Sequence, residues 1–172
     1  EEYAKYNEAN PEAKEESAGW ITLLKNAPTM FWKVGLVQFF CWAAFMYMWT
    51  YTNGTIAETV WQTTDTASAQ YQEAGNWVGV LFFWQAIGSV IWAMLLPMLA
   101  MPFTFVTNAL EGYGHKGAYL GLFNGTICLP QIAAAAVGGT VLSMVGSHQF
   151  NMMLVAALLL LLGALSVAWI KK

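Results

Sequence analysis

Uncharged amides and aromatic rings recur at helical spacing inside the apolar parts of this 172-residue chain. Gln38, Trp42, Phe45 and Trp49 fall at i, i+4, i+7 and i+11, one face of an α-helix. Gln85, Ser89 and Trp92 repeat the pattern, as do Thr104, Thr107, Asn108 and Glu111. Asn124 and Gln131 stand seven residues apart, two turns along one face, with Pro130 between them. An amide offers both a donor and an acceptor, and an indole or phenyl ring offers a flat apolar surface. Together they suit a polyhydroxylated ligand that has hydroxyls to bond, C–H faces to stack and no charge to neutralise. The same residue types also join helices to one another through hydrogen bonds. Spacing alone leaves the two readings equal.

Other chemistry is poorly represented. There is no Gly-rich phosphate loop, nucleophile elbow or His/Cys/Asp/Glu cluster with metal-ligand spacing. We therefore expect no catalytic residue, no metal, no cofactor and no enzyme. Cys41 and Cys128 lie in separate apolar segments and read as small buried hydrophobes. His115 and His148 fall in turns, where a proton-relay role is the less expected reading. The sequons at Asn53 and Asn124 look accidental, the second lying within an apolar span. All seven basic residues are Lys, and they form no stripe, so nucleic acid is not an expected partner.

The elements that would carry these faces are membrane helices. Hydrophobic residues make up 58% of the chain and charged residues 10%, against about 25% charged in a soluble domain. Residues 1–19 are charged, include Pro11 and read as a solvated linker; with no initial Met and no signal peptide, the chain reads as a piece of something longer. Residues 20–33 mix Trp20, Ile21, Leu23 and Leu24 with Lys25 and Lys33, an amphipathic stretch suited to the membrane interface. From residue 34 to 172 we expect a transmembrane helical domain in contact with the lipid bilayer. Its spans are about 34–52, 76–97, 101–111 (partial), 118–143 and 151–170, at about 20 residues per crossing. Asn53-Gly54 should stop the first, 53–75 should be a polar loop, 111–116 a charged turn, and 146–151 a break between the last two. Trp32, Tyr51 and Trp169 are expected as interfacial anchors near span ends. Ala133–Ala136 and Gly138-Gly139 would permit close helix approach, and Pro130 can kink its helix.

Lys25, Lys33, Lys116 and Lys171-Lys172 lie on one set of flanks, while the loops 53–75 and 146–151 carry no Lys. The positive-inside rule then predicts a multi-pass protein of the cell (inner) membrane with both chain ends and the 111–116 turn cytoplasmic. The window Ala74–Leu110 is 37 residues, about 55 Å of helix at ~1.5 Å per residue. That exceeds one crossing and falls short of three. We expect about one helix to be missing near Leu99-Ala100-Met101, with a break or distorted join over 96–104.

Particular motifs resemble a known family. Leu36-Val-Gln-Phe-Phe-Cys-Trp42 and Met48-Trp-Thr-Tyr51 resemble the seventh helix of sugar–cation symporters of the major facilitator superfamily. The likeness is to the sucrose–proton symporters and their bacterial maltose-type relatives, near the glycoside–pentoside–hexuronide family. Asp65-Thr-Ala-Ser-Ala and Gly75-Asn-Trp-Val-Gly-Val80 resemble the loop and start of helix eight, and Pro102 to Leu110 resembles helix ten. Gly117-Ala-Tyr-Leu-Gly-Leu-Phe-Asn124 with Pro130-Gln131 resembles helix eleven, the most specific match.

The resemblance covers about residues 25–170 and implies the C-terminal half of such a transporter, an all-α polytopic bundle. Helix nine and the basic loop after helix eight are missing from it. So is the N-terminal half, a partner where the proton-coupling acidic residue is expected. The implied function is transport of a sugar, a di- or oligosaccharide, coupled to a proton or other cation by alternating access. Gln38, Trp42, Trp49, Asn108, Asn124 and Gln131 are the candidates for lining the sugar site. The rival expectation is a non-transporting membrane subunit or assembly factor whose polar faces only pack helices.

Overall fold

The computed structural model describes residues 19–95 and 101–170, and among them every regular element is a helix. The elements are α1 (Trp20–Lys25), α2 (Thr29–Val60), α3 (Ala69–Leu95), α4 (Met101–Ala109), α5 (Lys116–Met144) and α6 (Gln149–Ser166), the last continuing into a 3-10 turn, Val167–Trp169. Four stretches are long and apolar enough to cross a membrane: Thr29–Val60, Ala69–Ile91, Lys116–Met144 and Gln149–Trp169.

Local chemistry explains most boundaries. The expected amphipathic segment 20–33 divides in two. Pro28, extended at ψ 151°, disfavours helix in the residue before it, so α1 ends at Lys25 and α2 starts afresh at Thr29. Ser68 caps α3: its Oγ accepts the Tyr71 N–H at 3.2 Å, while Asp65 accepts the Ala67 N–H at 3.0 Å in the turn before it. His115 and Ser147 take left-handed backbone (φ 58° and 62°) in the turns before α5 and α6.

One boundary departs from expectation. Asn53-Gly54 does not stop α2, which runs on to Val60, so the loop to α3 shrinks to residues 61–68. Packing overrides the weak propensity of the pair. A Cβ on Gly54 would collide with the Gln149 side chain of α6, and Asn53 faces Gly75 of α3. Thr52, Thr55 and Thr59, within this continued helix, donate their hydroxyls to the carbonyls of Met48, Tyr51 and Thr55, one turn back.

α2 is the hub, touching α3, α4, α5, α6 and the 3-10 turn, whereas among the described residues α3 touches α2 alone. Gly35 of α2 packs on Thr126 of α5, and Tyr47 and Tyr51 pack on Gly138, so α2 and α5 run parallel. Gly54 meets Gln149, and Cys41 meets Gly163, so α6 runs antiparallel to α2. These small-residue approaches are the close contacts that lipid-embedded helices use.

Two cores result. Ala43, Ala44, Tyr47, Ala134, Met152 and Ala156 fill the middle of the α2–α5–α6 group. Leu23, Phe31, Val34, Val106, Leu110, Tyr119 and Phe123 close the end that holds α1, α4 and the start of α5. At the other end Glu58, in the last turn of α2, accepts the Gln149 N–H at 2.9 Å, and His148 Nδ1 lies 4.0 Å from its carboxylate. The two loops without Lys therefore meet at one end, opposite α1 and the 110–115 turn. α4 spans only 9 residues, about 13 Å at ~1.5 Å per residue, and buries Val106, with Leu110 buried in the turn just after it. Of the expected break over 96–104, residues 96–100 lie outside the described residues, as does the side chain of Trp92, while 101–104 are not broken but form the start of α4.

Candidate functional site

The first predicted face is a physical unit. Trp42 donates its indole N–H to Gln38 Oε1 at 2.8 Å across one helical turn. The Trp42 ring then meets Phe45 and Trp49 edge-on, with centroids 5.8 and 6.3 Å apart. Phe45 and Trp49 stack at 5.9 Å and 22°. The i, i+4, i+7, i+11 spacing brings these side chains into a ladder along α2, ordered by its own contacts. Gln38, Trp42 and Phe45 are half-buried, and Trp49 is 46% exposed.

The remaining candidates sit on other helices. Asn124 is exposed and Gln131 half-buried on α5, and Asn108 is exposed near the end of α4. None of them is hydrogen-bonded to the Gln38 ladder. Glu111 lies beyond the end of α4, so it does not continue the Asn108 face, and Gln85 and Ser89 are exposed on α3.

Helix geometry relates the two main sets. Contact between α2 and α5 follows Phe31, Gly35 and Phe39 on one helix and Phe123, Thr126 and Pro130 on the other. At about 100° per residue, Gln38 and Trp42 lie to one rotational side of the first line. Asn124 and Gln131 lie to the opposite rotational side of the second. Because the helices run parallel, opposite senses place both sets on the same side of the α2–α5 pair. Val34, one turn before Gln38, is buried in one core with Val106 and Leu110, which puts α4 at the foot of that side.

The apolar clefts of the bundle lie elsewhere. An open cleft of about 270 Å³ between α2, α5 and α6 is lined by Phe39, Ala43, Tyr47, Pro130, Ala134 and Val155. Another of about 270 Å³ lies among Phe31, Leu36, Thr126 and Leu129. Both are apolar and contain none of the six candidates. The amide-bearing side is thus an open flank of this chain, whose second wall the described residues do not supply.

Two side chains take roles that the sequence did not indicate. Tyr51, expected as an interfacial anchor, packs against Tyr47 and Gly138 in the α2–α5 seam. Glu58 joins α2 to α6; a lone acid at a helix end carries no sequence signal for a partner 91 residues away. Trp32 and Trp169 are both more than half exposed. Among the described residues no group of three His, Cys, Asp or Glu could hold a metal ion. No protein-family model, curated protein or solved structure matches this chain.

Proposed function

We propose that the chain forms the C-terminal half of a sugar–cation symporter, with Gln38, Trp42, Trp49, Asn108, Asn124 and Gln131 on its substrate-facing side. Its six-helix partner half would supply the opposite wall and the proton-coupling carboxylate. The cycle would be alternating access, the two halves rocking about a midplane site in the cell membrane with both ends of this chain cytoplasmic.

One observation carries the reading. Among the described residues, none of Gln38, Asn108, Asn124 and Gln131 makes a hydrogen bond to another helix, although that is the role the packing alternative assigns them. Small residues and rings pack the bundle instead. The amides are left for a partner outside the chain, where an unpaired polar group in hydrocarbon is costly. The sugar itself comes from the family resemblance and from the fit of amide and ring to hydroxyl and C–H surfaces. The test is uptake of radiolabelled sucrose and maltose into cells expressing the natural gene that encodes this chain, with and without a protonophore. Accumulation abolished by the protonophore is expected. No accumulation or binding of either sugar overturns the reading.

The non-transporting alternative is favoured by α3. Among the described residues its contacts are to α2 alone, and Trp77, Phe83, Trp84 and Val90 are each at least half exposed. A subunit built to hold a neighbouring membrane protein would show such a face, and stable co-purification of that neighbour without sugar binding would favour it.

A further inference from the structure

The bond between Trp42 and Gln38 has a chemical direction. An indole nitrogen can only donate, so the atom it meets at 2.8 Å must be the amide oxygen of Gln38. A free glutamine side chain can turn over and present either its oxygen or its NH₂ group. In Gln38 the oxygen is held by Trp42, and the amide plane is fixed by a ring that itself packs against Phe45 and Trp49. The NH₂ group has no partner among the described residues. Resting on the sugar-binding reading, we propose that Trp42 is a positioning residue that fixes the Gln38 amide, so that its unpartnered NH₂ group is presented to the ligand as a donor. The ligand atom meeting that NH₂ group is then an acceptor oxygen, from a hydroxyl, ring ether or glycosidic link, and a donor-only group is disfavoured there.

The rejection has a physical cause. A donor-only group set against the NH₂ would leave both unpaired, and a buried unmet donor weakens binding about tenfold or more. Turning the amide to accept it would break the Trp42 bond and leave the indole N–H unmet in its place. Specificity is thus set two side chains deep, by a residue whose ring could also stack on the ligand.

Two measurements on the full-length protein in vesicles test this. The first needs no ligand. With Trp indole nitrogens labelled, the N–H resonance lost in Trp42→Phe identifies Trp42, and Gln38→Leu should move that resonance upfield. An unmoved resonance overturns the positioning contact. The second uses maltose and its monodeoxy and monodeoxyfluoro derivatives as probes, since fluorine accepts weakly but cannot donate. At one hydroxyl position the deoxy sugar should bind about tenfold more weakly than maltose, with the fluoro sugar in between. Trp42→Phe, which keeps a ring but frees the amide to turn, should shrink the difference between fluoro and deoxy. If maltose binds but the fluoro sugar equals the deoxy sugar at every position in the wild type, the fixed NH₂ donor is wrong while the sugar reading stands. If no sugar binds, both fall.

Discussion

The Glu58 carboxylate, on the last turn of α2, accepts the Gln149 backbone N–H, the first of α6, at 2.9 Å. It thereby does for α6 what a capping side chain normally does from its own segment, and it places negative charge at the positive end of that helix. His148, which precedes Gln149, makes no side-chain cap of its own.

Glu58→Ala should therefore destabilise the bundle by about 1.5–3 kcal/mol, the range for a hydrogen bond to a charged group. Glu58→Gln keeps an acceptor of the same shape and should lose less. Thermal unfolding of the purified protein in detergent, followed by the thiol reactivity of Cys41 after Cys128 is changed to Ala, reads both. Equal stability of wild type and Glu58→Ala would show that the contact contributes nothing.

The α2–α6 seam is expected to fail through Gly163. A Cβ there would sit 3.0 Å from Cys41 Sγ and 3.5 Å from Phe40 Cβ. Gly163→Val should cost about 1–3 kcal/mol by overpacking, and Cys41→Ala should recover part of that loss. A double-mutant cycle on unfolding free energy should give a coupling of about 0.5–3 kcal/mol between the two positions. Simple additivity would mean that they do not touch.

Sidedness can be read with single cysteines after Cys41 and Cys128 are changed to Ala. Thr66 is exposed in the 61–68 loop and Lys116 at the start of α5. Thr66→Cys should react with an impermeant thiol reagent added outside intact cells, and Lys116→Cys only after the cells are opened. The reverse pattern would invert the orientation drawn from the lysines. Thr66 is a better probe than Ser68, whose hydroxyl is engaged by Asp65 O and the Tyr71 N–H.

The site residues separate ligand binding from packing. Gln38→Ala and Asn124→Ala should each weaken sugar affinity roughly tenfold to a hundredfold, the equivalent of one lost buried hydrogen bond at about 1–3 kcal/mol. Both should leave the amount of folded protein in the membrane near that of the wild type, because neither side chain bonds to another helix. Unchanged affinity with reduced expression in both variants would return these amides to a structural role.

Some of this was legible from residues alone, and the exceptions share a cause. Helical period and apolar length point to the four long helices, and the spacing of Gln38, Trp42, Phe45 and Trp49 points to the ladder, because both depend on local geometry. Asn53-Gly54 misleads for the opposite reason: a turn signal is a local preference of a fraction of a kcal/mol to about 1 kcal/mol. Gln149 and Gly75, both distant in sequence, outweigh it. Tyr51 misleads in the same way, since nothing beside it in sequence announces Gly138. The relation between Gln38 and Asn124 needed the parallel course of α2 and α5, which no spacing contains.

The hub position of α2 bears on how the protein is made. α2 is synthesised before α3, α4, α5 and α6, so each of these leaves the ribosome with its docking surface already inserted. Its most extensive partner, α6, is the last to be made. Until then the seam side of α2 (Phe40, Cys41, Ala44) has only lipid or an insertion factor against it. The Glu58–Gln149 bond is therefore among the last contacts of the bundle to form, since it closes only on a chain translated past residue 149.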